Sequence, residues 1–128
     1  MQTLAAISAA VALVAPPPHS IKALGNVPLR PHDKYRLAFV SIDLSKGPGH
    51  KLEFGDLTHS FRALSFASID WGSNYVRFVG TGISKGKRVP FVAVAIHRSD
   101  GDSFYISWDH SARRGGPLKN GGITIDGS

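Results

Sequence analysis

The chain has 128 residues, 42% hydrophobic and 19% charged, a balance that fits one globular domain and excludes a disordered or acidic-solvating chain. It contains no cysteine, which removes a disulfide framework, a thiolate metal site and a cysteine nucleophile together. A formal charge of +6 and a pI near 10.0 point to anionic partners.

The chain opens on an uncharged apolar run, Leu4 to Ala15, of signal-peptide length and too short to span a bilayer. Ala10-Val11-Ala12 supplies a small-x-small cleavage pattern, so residues 1–20 are expected to be a leader and the protein to be exported. Against this, no Lys or Arg precedes the run and Pro16–Pro18 obstruct cleavage after Ala15. The competing reading is a short N-terminal helix docked on the domain and stopped by those prolines. No segment is long enough for a transmembrane helix. Residues 21–33 show no clear period and read as an irregular connector, leaving 34–128 as the folded domain.

From residue 34 the pattern changes to short β-branched and aromatic runs. Strands are expected at 34–43, 50–55, 61–71, 75–83, 88–97, 102–108 and 122–126. The breaks are Lys46-Gly47-Pro48-Gly49, Gly72-Ser73-Asn74, Ser84-Lys85-Gly86-Lys87 and Ser99-Asp100-Gly101. Each carries the Gly, Asn or Asp that tight hairpins need, and loops this short allow only antiparallel neighbours. The fold class is therefore all-β: a single antiparallel meander of about seven strands, barrel-like or sandwich.

Alternation assigns the faces. Phe104, Ile106 and Trp108 share one side of their strand, and Ser103, Tyr105 and Ser107 the other. Leu64 and Phe66 oppose Ala67, Ile69 and Trp71, which predicts a bulge or bend in that strand. The run from Val89 to Ile96 is apolar on both sides and predicts a central strand covered on each face. Gly80 and Gly82, on one face, suit a sharp bend or an aromatic ring lying over the backbone.

The run RFVGTGISKGKRVPFVAVAIHRSDGDSFYISW, with GGPLKNGGITI after it, resembles the post-COAP domain, a small β-domain of predicted secreted bacterial proteins. KYRLAFVSID, GHKLEFGDL and the strand ending in Ser68-Ile69-Asp70 resemble the first half of that family, so the likeness covers roughly 34–126. It implies a non-catalytic, extracytoplasmic β-domain, bacterial in setting, with no cofactor. The pairs Arg113-Arg114 and His97-Arg98 depart from the family pattern.

Several spacings imitate catalytic motifs. Gly82-Ile83-Ser84-Lys85-Gly86 matches G-x-S-x-G but joins two strands, whereas a nucleophile elbow needs a strand, a turn and a helix. Gly80-Thr81-Gly82 with Gly86-Lys87 lacks the Ser or Thr and the helix of a phosphate loop. His50, His59, His97 and His110 are not paired at ligand spacing, so no metal site is expected. Asp100 and Asp102, with Asp109 the only other acid nearby, are too few for calcium. Glu53, the sole glutamate, and Asp56 read as solvent-facing strand acids rather than a glycosidase pair.

Two features remain. One is the aromatic set Trp71, Tyr75, Tyr105 and Trp108 near strand ends, where exposed rings stack on planar ligands or sugars. The other is seven cations between residues 85 and 119 against three aspartates. Lys85, Lys87 and Arg88 lie in one hairpin end, and Arg113, Arg114 and Lys119 in a glycine-rich loop. A strict meander puts both loops at one end of the sheet, as one cationic patch. The expected ligand-binding residues are those six cations with Trp71 and Tyr105, and no catalytic residue is expected. The expected function is a non-catalytic binding or structural module for an anionic polymer or carbohydrate, with nucleic acid a less favoured partner. The competing reading is a small hydrolase or isomerase whose site assembles inside a β-barrel.

Overall fold

The two- and three-residue turns at 72–74, 85–86 and 99–100 lay the strands they join side by side and antiparallel. The computed structural model describes residues 20–33, 35–44, 50–56 and 58–126; the leader expected at 1–20 (all but Ser20) and the turn expected at 46–49 lie outside the described residues. Nine strands follow in order: β1 (Ser20–Pro28), β2 (Leu37–Leu44), β3 (Lys51–Gly55), β4 (Ser60–Trp71), β5 (Tyr75–Ser84), β6 (Lys87–Arg98), β7 (Gly101–Trp108), β8 (Arg114–Pro117) and β9 (Asn120–Asp126). They form one antiparallel sheet, ordered β9-β1-β2-β3-β4-β5-β6-β7-β8, curled into a half-barrel. The all-β meander read from the sequence is thus observed, with two further strands.

Both additions are strands without strand-like side chains. The span 21–33, expected to be a connector, holds β1. Its inward positions are Ile21, Ala23, Gly25 and Val27, a true period of two hidden by two small residues. Gly25 is where Asn120 of β9 approaches, and a Cβ there would overlap the Asn120 carbonyl oxygen. The span 109–121, expected to be loop, contains β8, Arg-Gly-Gly-Pro. Its Gly115 and Gly116 have φ of 100° and 155°, which β-branched residues cannot adopt.

Residues 118–119 link β8 to β9 and so carry the chain from one edge of the sheet to the other. Hydrogen bonds draw the edges together: Gly115 N–H donates to Leu29 O (3.3 Å), Leu118 N–H to Asp102 O (2.8 Å) and Lys119 N–H to Asn26 O (2.7 Å). The Asp102 carboxylate adds a fourth, accepting from Ile123 N–H at 2.8 Å.

The concave face is the core. Phe54, Phe78, Phe91 and Phe104 are fully buried, each worth roughly 1.5–3 kcal/mol relative to exposure. Phe104, Ile106 and Trp108 face inward as the alternation requires. In β4 the register shifts twice, between Ala63 and Ser65 and between Phe66 and Ser68. Each shift inserts one residue, so Phe61, Ala63, Phe66, Ile69 and Trp71 turn toward the core while Leu64 points outward, 40% exposed. The expected bulge is therefore doubled, and Leu64 and Phe66 lie on opposite faces.

Strand β6 is an interior strand, third from the β8 edge rather than central, and it is not covered on both sides. Val89, Phe91, Ala93 and Ala95 are buried while Val92 is 42% exposed, because the sheet is a single curled layer. Pro90 costs no ladder bond. Its carbonyl accepts from Asp109 N–H (2.9 Å), so its missing N–H faces the same side, just past the last residue of β7.

The β3–β4 connection is tied by Asp56. Its Oδ1 accepts from the N–H groups of Thr58 and His59, both at 2.8 Å, and from Thr58 Oγ1 at 3.0 Å. Burial pushes the Asp56 carboxyl up, but these donors outweigh it and hold the group at about 2, below the ordinary 3.8. A depressed folded-state value means stabilisation present above about 3.8 and lost as pH falls toward 2. Urea unfolding of the parent and of Asp56→Asn should differ by a constant amount above pH ~4, the gap closing as pH falls through that window. A gap independent of pH would show that the carboxylate charge contributes nothing.

Candidate functional site

Strand direction determines which loops meet. The β5–β6 hairpin turns through Lys85 and Gly86, with φ of 53° and 76°, the all-positive geometry of a tight hairpin. The turn after β7 places Asp109 and His110 at φ 54° and 56° and closes with Ser111 N–H on Trp108 O at 3.0 Å. Among the described residues these are the three non-glycine positions with left-handed backbone, and they fall at one end of the sheet. Such conformations gather at binding and active sites, where the surrounding structure holds them.

Between these loops lies an open cleft of about 340 Å³, lined by Lys85, Lys87 and Arg114, with His59, Ser84, Val89, Trp108, Asp109 and Ser111. Its base is a chain of ring contacts. Phe61 packs over Gly82, where a Cβ would overlap the Phe61 ring. Phe61 stacks on Trp108 with centroids 5.1 Å apart and planes at 18°. The Arg114 guanidinium lies over the Trp108 ring at 4.4 Å. A small residue in β5 thus sets the position of a cation from β8.

Arg114 is electrostatically uncompensated. Its Nε and Nη1 are buried and find no hydrogen-bond partner among the described residues. Burial lowers its pKa, and the nearby positive charge of Arg30 lowers it further. Lys87 Nζ lies 3.8 Å from Asp109 Oδ2, the acid on the cleft wall. Both lining serines donate elsewhere: Ser84 Oγ to Ser60 O at 2.8 Å and Ser111 Oγ to Trp108 O at 2.6 Å. Ser84, expected in the turn, is the last residue of β5 and pairs with Lys87 across the hairpin, and the G-x-S-x-G match has no helix behind it. His59 Nδ1 is held by Thr58 Oγ1 at 2.7 Å.

The eight residues singled out in the sequence separate into groups. Lys85, Lys87 and Arg114 converge on the cleft, joining the hairpin end to the segment after β7 as the meander requires. Arg88, next to Lys87, falls on the opposite face of β6 from inward Val89. Arg113 leaves the cleft for the convex face, its guanidinium 4.8 Å above the Tyr105 ring. There the two residues border a shallow apolar depression with Val92 and Val94.

Lys119 and Trp71 lie at the other end of the sheet. Lys119 N–H bonds Asn26, and its neighbour Leu118 bonds Asp102 at the start of β7, whereas the cleft sits at the end of β7. Trp71 opposes Val76 at the start of the ten-residue β5, and the cleft lies at that strand's far end, about 30 Å away at the usual rise per residue. The single patch of six cations is therefore replaced by three cations in a cleft. β8 is the physical reason: by pairing with β7 from Ile106 to Ser103 it carries the chain away from the cleft, leaving Arg114 at one end of β8 and Lys119 just beyond the other.

Two cleft residues, His59 and Asp109, were weighed in the sequence only as metal ligands, and Arg30, whose charge acts on Arg114, had no signal there. Arg30 lies in the span read as a connector and reaches Arg114 through closure of the sheet edges. Among the described residues no group of three His, Asp or Glu side chains gathers as a metal site. Asp102 instead pairs with His97 Nδ1 at 2.7 Å. No helix of the described residues is long and apolar enough to cross a membrane. Comparison with family models, curated proteins and solved structures finds no match to this chain.

Proposed function

We propose that the chain is an exported, non-catalytic binding module whose cleft holds an anionic polymer or acidic glycan. The observation that carries this reading is the convergence of three cations on one cleft: Arg114, a partly buried guanidinium stacked on Trp108, with Lys85 and Lys87 lining the same space. A partly desolvated cation beside other positive charges is unfavourable, and an anion placed in the cleft offsets that cost by Coulomb attraction. A site inside the half-barrel has less support, because no polar or charged residue is buried among the described residues. The resemblance to the post-COAP domain agrees with a binding module and supplies no ligand.

The test is the salt needed to elute the protein from a heparin column. The parent should be retained and its retention should fall steeply with ionic strength. A Lys85→Ser, Lys87→Ser, Arg114→Gln variant should elute at clearly lower salt. An Arg113→Ser, Lys119→Ser variant, altered outside the cleft, should stay close to the parent. Far-UV circular dichroism establishes that each variant remains β-structured. Equal elution of the parent and the cleft variant would overturn the reading.

A further inference from the structure

We infer that the anionic group is the carboxylate of a hydroxylated sugar acid, a uronate unit, and that Asp109 selects it over denser polyanions. The inference rests on the anion-binding reading of the cleft. Its starting point is that the cleft is not uniformly positive. The Asp109 side chain is 49% exposed on the wall, 3.8 Å from Lys87. Its place is fixed by its N–H on Pro90 O and by the left-handed turn that follows.

Three features point the same way. A polyphosphate or nucleic-acid strand carries closely spaced charges, and those beside the one at Arg114 would meet the Asp109 carboxylate. A sugar hydroxyl needs the pair that stands there, since it can donate to Asp109 and accept from Lys87. The hydroxyls of Ser84 and Ser111 already donate to backbone carbonyls, so toward the cleft they offer lone pairs, which suit O–H groups and not an oxyanion. The volume of about 340 Å³ lies at the small end of the range for small-ligand pockets.

The experiment is calorimetric titration with three probes: trigalacturonate, inorganic triphosphate and neutral maltotriose. The parent should bind trigalacturonate most tightly and maltotriose least. Asp109→Asn keeps a residue type that tolerates the left-handed turn. It should weaken trigalacturonate about tenfold, the difference between a charged and a neutral hydrogen bond, and tighten triphosphate. Asp109→Gly, which also fits the turn, should repeat both shifts. Tightening of both anions in either variant would show that Asp109 is only a repulsive charge; that outcome sinks the sugar-acid inference and leaves the anion cleft standing. Failure of the parent to bind either anion, with equal heparin elution of parent and cleft variant, would remove the cleft reading itself.

Discussion

Gly82→Ala should be among the most damaging single substitutions in the molecule, although it adds one methyl group. The new Cβ would overlap the Phe61 ring and lie 2.7 Å from the Arg62 carbonyl oxygen. Neither neighbour can yield cheaply. Phe61 is 2% exposed and pinned by Phe91 at 5.0 Å and Trp108 at 5.1 Å, while the carbonyl belongs to the β4 backbone. Overpacking of this kind costs about 1–3 kcal/mol, and the upper end lowers the midpoint of a domain this size by roughly 10–15 °C. The double variant Gly82→Ala, Phe61→Leu should lose less than the sum of its parts, because the smaller side chain frees the space the methyl needs. Since Phe61 supports Trp108 and Trp108 supports Arg114, Gly82→Ala should also lower heparin retention while removing no charge. A thermal midpoint within 2–3 °C of the parent's, under 1 kcal/mol for a domain this size, would show that the ring tilts aside freely and that the support chain does not exist.

How much of this was legible in the sequence depended on whether side chains or backbone carried the information. The strands from β2 to β7 announce themselves through Val, Phe, Ile and Tyr at alternating positions between glycine-bearing turns. The ring over Gly82 was foreseeable because paired glycines on one strand face leave room for little else. β1 and β8 were not, since the small Ala23 and Gly25 mask the two-residue period of β1, and Gly115 and Gly116 leave β8 to pair by backbone alone. That gap propagated to the site. Reading β8 as loop allowed Arg113, Arg114 and Lys119 to be grouped, whereas strand alternation sends Arg113 to one face and Arg114 to the other. Closure of the sheet through residues 118–119 depends on β9 choosing β1 as its partner, a pairing about a hundred residues apart in the chain that no local pattern encodes. Lys85, Lys87 and Arg114 were found because charge and hairpin direction are local properties. Arg30 and Asp109 were not, because their roles arise only from closure and from a left-handed turn.

That closure sets up the second large effect, at Asp102. Replacing it by Ala should lower stability by about 2–3 kcal/mol, the usual cost of deleting a charged acceptor and stranding its donor. Among the described residues Asp102 is the one whose side chain and backbone both reach across the seam. Its Oδ2 accepts from Ile123 N–H at 2.8 Å, and its carbonyl oxygen accepts from Leu118 N–H at 2.8 Å. The carboxylate is 14% exposed on its side chain, while its other partner, His97, is 56% exposed. Water can replace the histidine but not the Ile123 bond, so His97→Gln should cost a few tenths of a kcal/mol at most. In Asp102→Ala the Leu118 bond survives, because it uses backbone. The separation should appear in amide hydrogen exchange, with Ile123 losing protection ahead of Leu118 and both ahead of Phe78 and Ala93 in the sheet centre. The freed edge of β9 would then present unpaired N–H and C=O groups, and the variant should associate at high concentration where the parent does not. If Asp102→Ala melted with the parent and Ile123 kept its protection, the seam would be held by its backbone bonds alone.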